Sequence, residues 1–160
     1  MNAIHYTSIG LVRSPFTEIA GMPIQPPAAA GVRGCIVLQD EFAAGLQDIE
    51  GFSHLILIYH LHLVRDFSLS VKPFLDNDEH GIFATRAPKR PNPIGLSVVK
   101  LIVRDGATLE IENVDILDGT PLLDLKPYVP QFDSPQGARI GWFHDRLAQI
   151  DQARSDDRFN

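Results

Sequence analysis

Three cationic side chains lie within a proline-rich stretch in the middle of the chain. Residues 81–97 read GIFATRAPKRPNPIGLS and place Arg86, Lys89 and Arg90 among three prolines. Proline holds φ near about −65° and removes a backbone donor, so this stretch is neither a helix interior nor a central strand. A loop stiffened in this way loses little entropy on binding, and its cations suit phosphate or carboxylate groups. The stretch predicts either an anion-binding loop or a solvated turn.

A second motif follows about twenty residues later, where residues 115–132 read DILDGTPLLDLKPYVPQF. Asp118-Gly119 is typical of a turn, and Thr120-Pro121 stiffens its exit. Lys126 and Tyr128 lie in a further proline-containing segment, which holds an amine and a phenol at a fixed distance from the turn. An Asp-Gly turn alone is usually only a turn, so this motif indicates a function only together with the first.

Together the two motifs resemble the TsaA-like family, also called the tRNA methyltransferase O or YaeB family. The resemblance runs from about Ile9, in IGLVRSPF, to Phe132 or Asp133, and FSHL at Phe52–Leu55 also fits. It implies a β-barrel that uses S-adenosyl-L-methionine to methylate N6 of the threonylcarbamoyl-adenosine lying just 3′ of the tRNA anticodon. It also implies a homodimer whose cofactor pockets lie near the interface.

The resemblance maps cofactor contacts onto four places in this chain. Arg86 would meet an anionic group bidentately, Leu96 would supply apolar contact, and the Asp118 turn would offer an acceptor and backbone amides. Family members usually carry Pro-Arg-Gln where this chain has Pro23-Ile24-Gln25, which leaves open the first contact or the substrate class. The implied cofactor-binding residues are Pro23, Ile24, Gln25, His62, Leu63, Arg86, Leu96, Asp118, Gly119, Thr120 and Pro121.

The implied chemistry needs a proton acceptor. Methyl transfer from a sulfonium is an in-line displacement, so positioning and desolvation supply most of the catalysis. The amide-like N6 of a threonylcarbamoyl-adenosine is a poor nucleophile, and its proton must leave during or after attack. Asp118, His62 and Tyr128 are the candidate acceptors, and the sequence does not choose among them.

Four polar residues are candidates for substrate contact. Lys89 and Arg90 follow Arg86 on the same stiff loop and could meet a tRNA phosphate or the threonyl carboxylate, or could be solvated charges. Asn92 begins an Asn-Pro-Ile sequence that is similar to the Asn-Pro-Pro-Tyr motif of N6-adenine methyltransferases with an unrelated fold. Lys126 follows the Asp-Gly turn.

His60 and His62 are candidate metal ligands by their spacing. His60 and His62 are two residues apart, so they would face the same side of a strand, with His54 further along that face. A metal site needs at least a third ligand, and the sequence offers no fixed third partner nearby. We therefore expect no metal, and we interpret these histidines as cofactor contacts or as hydrogen-bonded buried residues.

The composition is that of an ordinary globular chain. Its 160 residues are 44% hydrophobic and 21% charged, which suits one domain with a core. The single cysteine, Cys35, excludes an intramolecular disulfide and fits a reducing cytoplasm. We find neither a signal-peptide pattern nor an apolar run long enough for a membrane span. The net charge of −6 is unusual for a protein that binds RNA through Lys and Arg.

Apolar spacing predicts many short strands and few helices. Asp105-Gly106 predicts a hairpin, and Leu55–Val64 is apolar on both faces, hence expected to be a buried strand. The other expected strands are Tyr6–Arg13, Cys35–Gln39, Val98–Arg104, Thr108–Leu117 and Leu122–Leu125. Helices are expected over Glu41–Gln47, capped by Asp40, and over Trp142–Ala153. No GxGxxG follows a strand, so the pattern favours a non-Rossmann, mainly β fold.

We expect residues 1–135 to form a single-domain β-barrel that binds S-adenosyl-L-methionine, and residues 136–160 to form a C-terminal helix with a frayed tail. The favoured function is that of a cytoplasmic, homodimeric tRNA (adenine-N6)-methyltransferase. One alternative is a protein of the same fold that methylates another substrate or only binds the cofactor, which the acidic charge keeps open. The other is a metal-dependent β-barrel enzyme that uses His60 and His62.

Overall fold

The computed structural model of the protein describes residues 2–147 and 154–156. Its strands are β1 (Gly10–Arg13), β2 (Arg33–Leu38), β3 (His54–His60), β4 (Ser70–Val71), β5 (His80–Gly81), β6 (Ile94–Asp105), β7 (Thr108–Glu112) and β8 (Thr120–Pro127). Its helical segments are short: α1 (Pro130–Asp133) and 3₁₀ turns at Pro26–Ala29, Asp40–Leu46, Ile49–Gly51, Ile82–Ala84 and Gly141–Asp145.

Six strands close into a barrel in the order β1, β2, β7, β6, β3 and β8, and β8 pairs back to β1. Every neighbouring pair is antiparallel. Closure satisfies the backbone groups that an open sheet would leave at its edges. Strands β4 and β5 form a small separate sheet. The prediction of a mainly β, non-Rossmann barrel with a few short helices is confirmed.

Side chains that alternate along the strands fill the barrel interior, as expected for a barrel of this size. In β3, Leu55, Leu57 and Tyr59 are buried, and the residues between them are partly exposed. The prediction that this strand is buried on both faces was wrong, because each barrel strand has one inner and one outer face. The core also contains Val12, Ile36, Leu38, Leu46, Ile49, Val99, Leu101, Leu109, Ile111, Val114, Ile116 and Leu122.

Strand ends differ from the sequence expectation where pairing, rather than pattern, decides them. Strand β1 begins at Gly10, β7 ends at Glu112 and β3 ends at His60, each shorter than its apolar run. Strand β6 begins earlier than expected because Ile94 pairs with His60. The predicted hairpin at Asp105-Gly106 is confirmed, since it joins β6 to β7 with Gly106 at a φ of 59°.

The predicted helices are largely 3₁₀ turns. Residues 40–46 form one, and its cap position is held by Gln39 without a side-chain hydrogen bond, so the prediction that Asp40 caps an α-helix was wrong. The expected helix over Trp142–Ala153 begins as the turn at Gly141–Asp145, and its residues 148–153 lie outside the described residues. Within the described part of the chain, no helix is long and apolar enough to cross a bilayer.

Residue 155, in the segment predicted to be frayed, is paired with the chain near residue 21. The Gly21 amide donates to the Ser155 carbonyl at 2.9 Å, and the Ser155 amide donates to the Met22 carbonyl at 2.9 Å. The prediction of fraying was therefore wrong at Ser155, where tertiary hydrogen bonds hold the backbone.

One end of the barrel collects the segments that carry both motifs. Because β3 runs antiparallel to β6 and β8, the end of β3 meets the beginnings of the other two, and Tyr59 pairs with both Gly95 and Leu122. The proline-rich stretch leads into β6, and the DILDGTP segment leads into β8. The tertiary structure therefore brings together two motifs that are separate in the sequence.

Candidate active site

A cavity of about 880 Å³ opens at this end of the barrel, within the size range of small-molecule sites. Its walls come from the end of β3 and the segment after it, the loop around residue 23, the start of β6, and residues 115–117 before β8. Trp142 and Phe143 add aromatic surface from the C-terminal segment. Most of these side chains are apolar, so the few polar groups among them determine what the cavity can bind.

Most of the expected cofactor contacts meet in this cavity. The expected contacts that line the cavity are Pro23, Ile24, Gln25, His62, Leu63, Arg86, Leu96 and Thr120. His62 and Leu63 lie beyond the end of β3, in a turn rather than on the strand. The Arg86 guanidinium donates to Gln25 Oε1 at 2.9 Å, which joins the proline-rich stretch to the loop at residues 23–25.

The remaining expected contacts, Asp118, Gly119 and Pro121, do not line the cavity. Asp118 accepts a hydrogen bond from the Ser14 amide at 3.1 Å and lies 3.5 Å from an Arg13 guanidinium nitrogen. The Gly119 amide donates to the Val12 carbonyl at 2.9 Å. The turn is thus joined to the end of β1, and within this chain Thr120 alone of its four residues reaches the cavity wall.

The substrate candidates divide in a similar way. Arg90 lines the cavity, and its guanidinium donates to the carbonyls of Ile82 and Thr85 at 3.1 and 3.0 Å. Lys89 lies next to it and is 3.5 Å from the Asp66 carboxylate, which is on the cavity wall. Arg90 therefore also holds the backbone of its own loop.

Asn92 and Lys126 are not part of the cavity wall. Asn92 is exposed, and its carbonyl accepts from the Ile94 amide at 2.7 Å. Lys126 is paired with Asp124 at 2.6 Å on the outer part of β8. Neither residue is brought to Arg86 by this chain's own fold.

Of the three candidate proton acceptors, His62 alone lines the cavity. The Tyr128 amide donates to the His54 carbonyl at 3.0 Å, at the start of β3. The seven residues of β3 place that position roughly 20 Å from the cavity end of the strand.

The prediction that His54, His60 and His62 share one face of a strand is wrong. His54 and His60 are on the outer face of β3, and His62 lies past its end. Across residues 2–147 and 154–156, no group of three or more His, Cys, Asp or Glu side chains could hold a metal ion.

Three polar residues that the sequence reading did not select form a chain of hydrogen bonds at the cavity. The Ser97 hydroxyl donates to Asp115 Oδ1 at 2.6 Å, and the Tyr59 hydroxyl lies 3.0 Å from Ser97 Oγ. Serine has one O–H to donate, so Tyr59 donates to Ser97. The sequence feature that could have indicated this site is Asp115 itself, because it is an acid between the apolar residues Val114 and Ile116.

Burial changes the pKa values of the two titratable groups in this hydrogen-bonded series, Asp115 and Tyr59. Burial raises the pKa of the Asp115 carboxyl to about 6. The hydrogen bonds from Ser97 and from the Asp115 amide, together with the Arg86 charge, lower that pKa but do not outweigh burial. Burial, together with the Asp115 charge, also raises the pKa of the Tyr59 phenol, which therefore stays protonated. A carboxyl that has a raised pKa and lines a cavity is a candidate functional group.

The aromatic wall of the cavity is held by the chain's single tryptophan. The Trp142 indole N–H donates to the Ala84 carbonyl at 2.8 Å, and its ring stacks on His80 at 4.5 Å between centroids and on Phe143 at 3.9 Å. Trp142 thereby packs the C-terminal segment against His80 and Ala84, at the beginning of the proline-rich stretch.

The Asp76 carboxylate, whose side chain is 7% exposed, connects His80 to the C-terminal segment. Asp76 Oδ2 lies 3.3 Å from His80 Nε2, and Asp76 Oδ1 lies 3.3 Å from an Arg146 guanidinium nitrogen. Burial acts to raise the pKa of Asp76, but hydrogen bonds from His80, the amides of Asn77 and Asp78, and Arg146 outweigh it and lower that pKa to about 2. Asp76 is therefore an ionised structural anchor.

Comparison with protein families gives one match that covers most of the barrel. The model of the tRNA-methyltransferase O N-terminal domain matches residues 11–134. That range contains both motifs and every barrel strand except the first residue of β1.

Two curated relatives show how far the similarity extends. A probable S-adenosyl-L-methionine-binding protein of Pyrococcus abyssi is 53% identical over 156 residues, which are 98% of this chain and 85% of that protein. A tRNA (adenine(37)-N6)-methyltransferase of Mus musculus is 35% identical in an alignment of 153 residues, and the match covers 89% of this chain and 36% of that protein.

Solved structures show the same fold. A crystal structure of TrmO from Pseudomonas aeruginosa superposes with a TM-score of 0.74 at 37% identity, over 88% of this chain and 63% of that one. A second crystal structure of TrmO gives 0.76 at 39% identity, over 88% of this chain and 64% of that one. This chain thus spans less than two thirds of the solved chains and about a third of the mouse protein.

Proposed function

The chain belongs to the tRNA-methyltransferase O family, and we propose that it methylates N6 of the threonylcarbamoyl-modified adenosine next to the tRNA anticodon. The observation that carries the proposal is the meeting of both motifs in one cavity. Arg86 and Leu96 reach it from the proline-rich stretch and its exit, while Asp115 and Thr120 reach it from the DILDGTP segment.

S-adenosyl-L-methionine is the cofactor, and the cavity residues fit its chemical groups. Apolar side chains such as Leu63 and Leu96 suit the adenine ring, and the Arg86 guanidinium suits the carboxylate. Arg86 is already oriented by Gln25 at 2.9 Å, so little ordering would be needed on binding. Bound there, the cofactor supplies an electrophilic methyl group on a sulfonium. Asp118, Gly119 and Pro121 stay in the proposed cofactor set from the family resemblance alone.

The charges around the cavity favour an anionic substrate even though the chain is acidic overall. Within the described lining, Arg65, Arg86 and Arg90 accompany two carboxylates, Asp66 and Asp115. A phosphate or the threonyl carboxylate of the modified base would find guanidinium groups there. Arg90, with Lys89 beside it, is our candidate for that contact.

The proposal for the wider assembly rests on the family resemblance. We propose a cytoplasmic homodimer, in which Asn92 and Lys126, both outside this chain's cavity, contact tRNA. Sedimentation of the purified protein with the cofactor present tests the assembly, since a strictly monomeric profile at micromolar concentration would contradict it.

Mass spectrometry of digested tRNA tests the function directly. Purified protein, S-adenosyl-L-methionine and tRNA carrying the threonylcarbamoyl group should yield a nucleoside heavier by one methyl group. The matched control is the same tRNA transcribed without modification, which should gain nothing. Methylation of both tRNAs to the same extent would show that the threonylcarbamoyl group is not recognised.

A second function is supported by the net charge of −6 and by the name of the Pyrococcus relative, a probable S-adenosyl-L-methionine-binding protein. In it, the same cavity binds the cofactor and serves another acceptor. Cofactor binding in calorimetry, with no methyl transfer to either tRNA, would favour this function over the first.

A further inference from the structure

Two carboxyl groups line the described part of the cavity, and their surroundings differ. The Asp66 side chain is 72% exposed and lies 3.5 Å from the Lys89 amine. Asp66 is therefore surrounded by water and paired with a cation. Asp115 lies on the inner wall, where Ser97, itself only 1% exposed, donates to it at 2.6 Å. The two carboxyls therefore suit different tasks.

The position of Asp115 is fixed by a chain of packed groups. Tyr59 crosses the backbone of Gly95 so closely that a Cβ at residue 95 would overlap its ring. The phenol is therefore held where it donates to Ser97, and Ser97 is held where it donates to Asp115. A carboxylate has about four lone-pair sites, so one hydrogen bond at Oδ1 leaves it able to accept a proton.

Two charged or titratable groups act on this carboxyl. Tyr59, from β3, is protonated and connected to it through Ser97, and Arg86, from the proline-rich stretch, supplies a permanent positive charge. Burial opposes the ionised form more strongly than Ser97 and Arg86 favour it, so the carboxyl holds a proton more firmly than an ordinary aspartate. At neutral pH it is still mainly ionised, which is the state and strength that a general base needs.

We propose that Asp115 accepts the N6 proton of the modified adenosine during methyl transfer, with Ser97 and Tyr59 as positioning residues. This inference rests on the proposed function. In the reaction the N6–H bond breaks, a new N6–C bond forms, and the C–S bond of the donor breaks with its electron pair staying on sulfur. The proton goes to the Asp115 carboxylate, which becomes neutral and later releases it to water.

The test compares Asp115→Asn with Glu110→Gln, which removes an exposed carboxyl on β7 outside the cavity. Asp115→Asn keeps the size of the side chain and an oxygen for Ser97. We expect its kcat on modified tRNA to fall by about 10²–10⁴-fold, the usual range for a lost general base. Calorimetry should show S-adenosylhomocysteine binding within about threefold of the parent, and Glu110→Gln should match the parent in both measurements.

Ser97→Ala supplies a readout that is independent of the rate. Without the Ser97 hydrogen bond, the pKa of Asp115 should rise further, because that bond favours the ionised form. The Asp115 carboxyl signal in a ¹³C NMR titration should therefore move to a higher midpoint, and the acid limb of kcat should move with it. A purely structural role for Ser97 would lower kcat at every pH without moving either midpoint.

Two results would overturn the inference alone. The first is that the Asp115→Asn variant methylates at the parent's rate. The second is that this variant loses as much affinity for S-adenosylhomocysteine as it loses in kcat, because Asp115 would then be a cofactor ligand. A parent protein that methylates neither tRNA would instead overturn the proposed function, and the acceptor role with it.

Discussion

Replacing Asp115 with asparagine should change how the stability of the protein depends on pH. The folded-state pKa of this carboxyl is raised to about 6 from an ordinary value of 3.8. A raised acid pKa means that the folded state holds the proton more firmly than the unfolded chain does. The resulting stability is fully present below the unfolded pKa and is lost as the pH rises through the folded one.

The size of the effect follows from the two pKa values. A difference of about two pH units is worth about 3 kcal/mol between the fully protonated and fully ionised limits. With these midpoints, about 1.4 kcal/mol of that difference falls between about pH 5 and pH 8. Asparagine does not titrate, so Asp115→Asn should become more stable relative to the parent by about 1.4 kcal/mol over this interval.

Urea unfolding followed by circular dichroism measures this difference at each pH. Subtracting the two proteins cancels the other titrating groups and any constant cost of the substitution. Glu110→Gln is the control, because it removes a carboxyl that is exposed on β7 and lies outside the cavity. A parent-to-variant difference that is flat over this pH interval for Asp115→Asn would refute the claim that burial raises this pKa.

Three further predictions concern neighbouring positions. Arg86→Ala should weaken binding of S-adenosyl-L-methionine by about 1.5–3 kcal/mol in calorimetry, because a charge-assisted hydrogen bond is lost. Lys89→Ala should leave that affinity nearly unchanged but reduce the salt slope of tRNA binding by about one, if Lys89 neutralises a phosphate. Gly95→Ala should lower the unfolding free energy by about 1–3 kcal/mol, because the new Cβ would overlap the Tyr59 ring. Gly45→Ala is its control, since a Cβ there meets no described heavy atom within 4 Å.

Each of these predictions has a result that would contradict it. Unchanged cofactor affinity in Arg86→Ala would remove the guanidinium from the cofactor site. A parent-like salt slope in Lys89→Ala would show that the Lys89 amine does not neutralise a tRNA phosphate. Equal melting of the Gly95→Ala and Gly45→Ala variants would show that the Tyr59 ring can move away without cost.

The strands could be predicted where local pattern and pairing agree. The Asp105-Gly106 pair identified the hairpin, and the predicted strands overlap all six barrel strands, although their ends differ. Strand ends depend on which partner lies alongside, as when His60 pairs with Ile94 and extends β6 by four residues beyond the predicted start. The helical segments were less predictable, because their 3₁₀ turns depend on packing against the barrel.

The site could be predicted in part because its motifs are local in sequence. Arg86, Leu96 and the Pro23–Gln25 loop were selected from the sequence, and the structure places them on one cavity wall. Asp115 was missed because an acid between two apolar residues reads as a strand position. Only the fold shows that it accepts a hydrogen bond from Ser97, which in turn accepts one from the Tyr59 phenol.

The sequence by itself determined the family, the mainly β fold and the rigid, cationic character of the proline-rich stretch, since these depend on residue types and short spacings. Only the tertiary structure decided which polar groups share a cavity, because barrel closure joins strands that are distant in the chain. That closure places Tyr59, Ser97 and Asp115 in contact, joins Asp118 to the end of β1, and leaves Tyr128 at the opposite end of β3 from the cavity. Burial, which no local pattern reports, then sets the pKa of Asp115.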